Sequence, residues 1–219
     1  MVKYRMRFER KNSLRFISHL EQIELIKLML RRTELPLIYS QGFHPQVKVS
    51  FGPAISVGYE SESEYVDLEL GCELNTGIIA KQISAQLPAG FNLLELKQIN
   101  NIRESLEAEI DVAEYHIAGI ESIHIEGIAD KIKVFLSPEQ IIIQKIKKDK
   151  IIEVDVKPQI IRLEYLNEIL VLVIRLKQPV KPEKIVQKLL NLTEPEAKIL
   201  NINRKQFYVE KKNELICLI

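Results

Sequence analysis

The segment Tyr4-Arg5-Met6-Arg7-Phe8-Glu9 alternates apolar and charged residues without a break, the period-two signature of a strand with one buried face. It turns Tyr4, Met6 and Phe8 toward a core and Arg5, Arg7 and Glu9 the other way. Ser18-His19-Leu20-Glu21 follows, a capping box in which the Ser18 hydroxyl accepts from the Glu21 amide while the Glu21 carboxylate reaches back. At about 100° per residue, the helix it opens, running to about Thr33, gathers Ile23, Leu25, Ile26, Met29 and Leu30 on one face. A strand followed by such a helix predicts a helix laid on a sheet. Pro36 ends the helix, because proline disfavours helical geometry at Leu35.

The next stretch keeps the same grammar. Short extended pieces are expected at Leu37–Ser40 and Val47–Phe51, a loop from Gly52 to Ser63 and an alternating strand at Glu64–Leu70. A helix at Thr76–Leu87 and a closing strand at Phe91–Ile99 follow. The order β-α-β-β-α-β is that of the ferredoxin-like split unit. Residues 100–109 read as a polar linker. Beyond it the pattern partly repeats, with strand Ala113–Ala118, helix Glu121–Leu136, strands Ile141–Ile146, Ile151–Val156, Gln159–Tyr165 and Ile169–Lys177, helix Pro182–Leu190, and strands Lys198–Glu210 and Glu214–Ile219. The expected fold is α+β: tandem ferredoxin-like (βαββαβ) modules, antiparallel sheets with helices on one face. The modules span residues 1–100 and 109–219, the second with an inserted hairpin.

The longest apolar run, Ile169 to Ile174, is far short of the ~18 residues a membrane helix needs. The N-terminus reads directly into a strand, without the apolar core of a signal peptide. Cys72 and Cys217 are the only cysteines and have no paired spacing. That argues against a disulfide framework, a structural zinc site or an iron–sulfur cluster held by this chain alone. No cofactor, metal or membrane partner is expected, and a reducing cytoplasm fits best. The net charge of +1 hides an asymmetry: residues 1–50 hold ten Lys or Arg against four Glu, whereas residues 51–75 hold six acids and no Lys or Arg. Such a chain can present one basic face to a nucleic acid, or its opposite charges can pair across a sheet. Arg5, Arg7, Arg10 and Lys11 are the candidates for phosphate contact.

Among the histidines, His116 and His124 have no carboxylate or cysteine at ligand spacing and read as ordinary residues. His19, in the first turn of a capped helix, is expected neutral because the positive helix end disfavours imidazolium. It either buttresses the helix start or faces a substrate. His44 lies in Tyr39-Ser40-Gln41-Gly42-Phe43-His44-Pro45, a loop that either closes over a ligand or simply turns the chain. The expected topology puts His19 and His44 at opposite sheet ends and His19 beside the loop Gly52–Ser63. The run Glu60-Ser61-Glu62-Ser63-Glu64 lacks calcium-loop spacing and reads as solvated surface. No phosphate loop, Ser-His-Asp order or metal-binding helix pair is present.

Three pieces, Leu14-Arg15-Phe16-Ile17-Ser18-His19-Leu20, Leu35-Pro36-Leu37-Ile38-Tyr39-Ser40-Gln41-Gly42-Phe43-His44-Pro45 and Gly58-Tyr59-Glu60-Ser61-Glu62-Ser63-Glu64-Tyr65, resemble the bacterial radical-SAM-linked proteins of unknown function. The resemblance covers about residues 3–70. It implies an accessory role beside a radical S-adenosylmethionine protein, presenting RNA or a ribosomal substrate to it. It also implies functional positions at Arg15, Ser18, His19, Ser40, Gln41, Gly42, Phe43, Pro45 and Lys48. The three-cysteine motif of the radical enzyme is missing, so this chain would not generate the radical. The leading expectation is a non-catalytic accessory protein that binds RNA through a basic N-terminal surface. The alternatives are a protein-interaction module for the radical enzyme without RNA binding, and a metal-independent RNA-processing endonuclease using His19.

Overall fold

In a computed structural model of the chain, which describes all residues except 100–104, 124, 148–149, 178–179 and 213, the alternating N-terminal segment is strand β1 (Val2–Arg10). Helix α1 (His19–Arg31) begins where the capping box places it: the Glu21 amide donates to Ser18 Oγ at 3.2 Å and the Ser18 amide to Glu21 Oε2 at 2.7 Å. Strands β2 (Val49–Phe51) and β3 (Glu60–Leu70), helix α2 (Thr76–Ser84), strand β4 (Phe91–Ile99) and a single helical turn, α3 (Leu106–Glu109), follow. Two compact units divide the chain: residues 1–110 with 216–219, and residues 111–215.

In the first unit β1 lies between β4 and β3, β2 also pairs with β3, and all of these pairings are antiparallel. Tyr4, Met6 and Phe8 of β1, Val66, Leu68 and Leu70 of β3 and Phe91 of β4 form one core with Ile26, Met29 and Leu30 of α1 and Ile79 and Ile83 of α2. Each such side chain removed from water contributes about 1.5–3 kcal/mol. The Tyr4 hydroxyl also pins the turn after β3, donating to Leu74 O at 3.0 Å and accepting from the Leu74 amide at 2.9 Å.

The second unit contains β5 (Val112–Ala118), α4 (Ile128–Leu136), β6 (Ile142–Lys147), β7 (Lys150–Asp155), β8 (Ile160–Leu166), β9 (Ile169–Arg175), α5 (Pro182–Leu190), α6 (Glu194–Ile199) and β10 (Asn201–Lys211). The last strand of the chain is β11 (Glu214–Cys217). Within the unit the strand order is β10-β5-β9-β8, again antiparallel, and β6 with β7 forms a separate hairpin. The protein is thus a mixed α+β fold built on antiparallel sheets.

Four expectations need correction. The run Glu60–Glu64 is the first part of β3 and not a solvated loop: Ser61 and Ser63 are fully buried and Glu64 is 4% exposed. The linker ends in α3, whose Leu106 is fully buried. The helix expected over Glu121–Leu136 is a 3-10 turn at Ile120–Ile123 and then α4, with Gly127, a poor helix former, between them. His124, placed on that helix, lies outside the described residues. Helix α6 was not expected at all. Among the described residues no helix is long and apolar enough to cross a membrane.

Candidate functional site

Antiparallel pairing of β1 with β3 sets Lys3 opposite Glu69 and Arg5 opposite Asp67. Both strands alternate, so the cations of one meet the carboxylates of the other on the same face. Arg5 is 1% exposed; its Nε donates to Asp67 Oδ1 at 2.7 Å and its Nη2 to Asp67 Oδ2 at 2.8 Å and Glu109 Oε2 at 2.7 Å. Burial opposes the guanidinium charge, but the bonds to Asp67 and Glu109 outweigh it and hold the proton more tightly than in a free arginine. Arg7 reaches Glu95 at 3.8 Å. Lys11 bonds Glu9 at 2.7 Å and Glu62 at 3.4 Å; the Glu9 bond raises the ammonium above its usual range and lowers the carboxyl below its own. Arg5, Arg7, Arg10 and Lys11 are the residues expected to contact phosphate. Arg5 and Arg10 are inside the protein, and Arg7 and Lys11 are engaged by neighbouring carboxylates.

Arg10 is fully buried and works as a clasp. Its Nη1 donates to Gln22 Oε1 at 2.6 Å and Ile17 O at 3.4 Å. Its Nη2 donates to the carbonyls of Arg15 at 3.2 Å, Tyr59 at 3.4 Å and Ser56 at 3.5 Å. Gln22 passes the interaction on, its Nε2 donating to Glu64 Oε2 at 2.5 Å. A buried charge is tolerated when it is hydrogen-bonded, and here both terminal nitrogens of one guanidinium are bonded by gathering two pieces of the motif. The Gly58 amide adds a direct strut to Arg15 O at 2.7 Å. Residues 12–17 thus adjoin the loop before β3. Ser18 caps α1, the Arg15 guanidinium lies 4.8 Å from the centre of the exposed Phe16 ring, and His19 is half-buried in the first helical turn.

The second motif piece, Leu35–Pro45, starts a small hairpin. Leu37 bridges to Leu70 and Tyr39 to Val47. The Lys48 amide donates to Ile38 O at 2.8 Å, the Ser40 amide to Gln46 O at 2.8 Å, and the Gln46 amide to Ser40 Oγ at 3.0 Å. Val47, 3% exposed, anchors the hairpin in the core. The tip, Gln41-Gly42-Phe43-His44-Pro45, is exposed throughout, Gly42 taking φ +130° and Phe43 standing 101% exposed. Arg31, in the last turn of α1, donates to Gln46 Oε1 at 2.7 Å. His19 opens the same helix, so about 18 Å of helix at ~1.5 Å per residue separates it from the hairpin side. His19 and His44 are not brought together.

At the hairpin base, Ser40, Gln46 and Lys48 line a cleft of about 370 Å³ with Lys3, Glu69 and Ser105. Lys3 and Lys48 approach the two oxygens of Glu69 at 3.4 and 3.7 Å. Among the described residues no group of His, Cys, Asp and Glu is placed to hold a metal ion. The sequence reading missed Gln22 and Glu64; the one signal for them was a glutamine on the apolar side of α1.

A comparison with curated proteins gives no match. A comparison with protein families matches residues 3–182 to one described as an uncharacterized protein conserved in bacteria (DUF2344). The match takes in the clasp, the hairpin and most of the second unit, and the chain belongs to that family.

Proposed function

We propose that the chain is a non-catalytic binding module that docks a partner protein through the hairpin at residues 37–49, and that its partner is a radical S-adenosylmethionine enzyme of the cytoplasm. The observation that carries the docking surface is Phe43, a fully exposed aromatic ring at the tip of a hairpin whose base is tied to β3 and α1. A large apolar side chain on an anchored tip suits the buried centre of an interface, where aromatic anchors dominate affinity. The identity of the partner rests on the resemblance of the three motif pieces. Tandem ferredoxin-like modules, residues 1–100 and 109–219, are part of the same reading. The orders β4-β1-β3, with β2 on β3, and β10-β5-β9-β8 support it.

Phe43→Ser tests the reading in a nuclease-treated pull-down with the radical enzyme. Affinity falls at least about 30-fold, as for a hot spot of ~2 kcal/mol, while the thermal melt is unchanged. Full retention by Phe43→Ser removes the hairpin reading.

The second reading is RNA binding. Arg31 and Arg32 are exposed at the end of α1, next to the hairpin that carries Tyr39 and Phe43, and cations beside aromatics suit single-stranded RNA. It requires RNA affinity that falls steeply with salt. Affinity insensitive to salt sinks it.

A further inference from the structure

We infer that Glu114, His116, Arg162 and Tyr208 of the second unit form a binding site for a phosphate-type oxyanion, on the polar face of its sheet. The site is independent of the hairpin reading. Glu114 and His116 are two residues apart on β5 and therefore share a face. Across β5-β9-β8, Glu114 pairs with Val173 and Val173 with Arg162, which brings Arg162 into the same row. Tyr208 comes from β10, on the other side of β5.

Glu114 is the hub. It is 8% exposed; its Oε1 lies 2.7 Å from His116 Nε2, and its Oε2 accepts from Arg162 Nη2 at 3.1 Å and from the Tyr208 hydroxyl at 2.8 Å. Burial pushes its carboxyl up, and the bonds from Tyr208 and His116 more than offset this, so it is ionised at neutral pH. An ionised carboxylate only accepts, so His116 Nε2 carries the hydrogen and Nδ1 is the atom left for a ligand. Arg162 commits one nitrogen to Glu114 and keeps its remaining donors on a side chain that is 46% exposed; the His116 side chain is 28% exposed.

Two oriented groups therefore reach the surface from one buried anchor. With His116 neutral, Glu114 and Arg162 cancel; a proton on Nδ1 adds one positive charge and a second donor. An oxyanion then accepts from Nδ1–H and from the guanidinium. A carboxylate ligand is best met by both prongs of one guanidinium fork, and one prong here is committed. Donors arriving from two different side chains suit a tetrahedral oxyanion better. The groups around His116 are Glu114 on its own strand, Arg162 on β8, Tyr208 on β10, Asn203 opposite it on β10, and Glu164 on β8, opposite Val171, which pairs with His116. Glu164 is a second carboxylate in that row, so the ligand effect must be read as a difference.

The test is an NMR titration of the His116 ring in the full chain, with inorganic phosphate, acetate or chloride at equal ionic strength. Phosphate raises the His116 pKa by about half a unit or more relative to chloride, as expected when an anion binds the charged form. Acetate raises it less. Arg162→Ala removes the phosphate shift, and Glu164→Gln preserves it. Should Arg162→Ala fail to fold, Arg162→Gln, which keeps a donor for Glu114, takes its place with the same expected loss. A phosphate shift no larger than that of chloride overturns the site, as does one that survives loss of Arg162. Equal shifts with acetate and phosphate overturn the ligand class.

Discussion

Arg5 and Asp67 face each other across β1 and β3 in a two-pronged contact, Nε to Oδ1 at 2.7 Å and Nη2 to Oδ2 at 2.8 Å. With Glu109 on the same Nη2, one arginine answers two carboxylates. Breaking a buried pair from one side strands the other charge. Arg5→Ala is therefore expected to cost about 3–5 kcal/mol in urea denaturation. The double variant Arg5→Met, Asp67→Leu loses less than Arg5→Ala alone, because it strands fewer charges.

Arg10 links Gln22 with the carbonyls of Arg15, Ile17, Ser56 and Tyr59. Arg10→Met keeps the length and removes the donors, leaving buried oxygens unpaired at about 1–3 kcal/mol each where no water replaces them. Hydrogen exchange is expected to quicken in residues 13–19 and 54–60. The hairpin at 37–49, held by its own bonds, keeps its protection. Equal loss of protection in both regions would refute the clasp.

Gly90 takes φ +95°, and a Cβ there would stand 2.8 Å from Lys11 O. The Lys11 amide already donates to Gly90 O at 2.9 Å, so neither backbone has room to retreat. Gly90→Ala is expected to destabilise by about 1–3 kcal/mol, from left-handed backbone plus contact, read as a lower midpoint in urea.

Two glutamates of the second unit should shift stability with pH in opposite senses. The folded-state pKa of Glu114 is depressed, burial being outweighed by the Tyr208 and His116 bonds, so its contribution is present above the ordinary carboxyl range and is lost as pH falls through the folded value. Burial raises the Glu183 carboxyl, so the folded state is penalised as pH climbs through and beyond the ordinary range. Glu183→Gln raises Tm at pH 7 and leaves it nearly unchanged at pH 3. Glu114→Gln lowers Tm at pH 7, and less at pH 3.

The sequence was most legible where one local rule decided the outcome. The alternation of Tyr4–Glu9 and the capping box at Ser18 each specify their element without reference to anything distant. The charges of β1 were harder. Which way Arg5 points is local, but whether it meets solvent or Asp67 depends on a strand sixty residues away. Ser61 and Ser63 hid the start of β3 because its inward positions hold small polar residues, buried opposite the end of β1. Thr193 and Glu196 spell the capping box that starts α6, a signal that was present and overlooked. His116 reads as ordinary when no carboxylate is counted at ligand spacing, whereas on a strand a carboxylate two residues away, Glu114, is a neighbour.

Gly42 bends the hairpin tip with φ +130°, and nothing lies within 4 Å of where a Cβ would stand. The demand at this position is for handedness, not for space. A D-alanine introduced by chemical synthesis would preserve the bend while thinning out the competing shapes of the unbound loop, and a mirror-image residue at the tip should improve docking where its natural enantiomer weakens it.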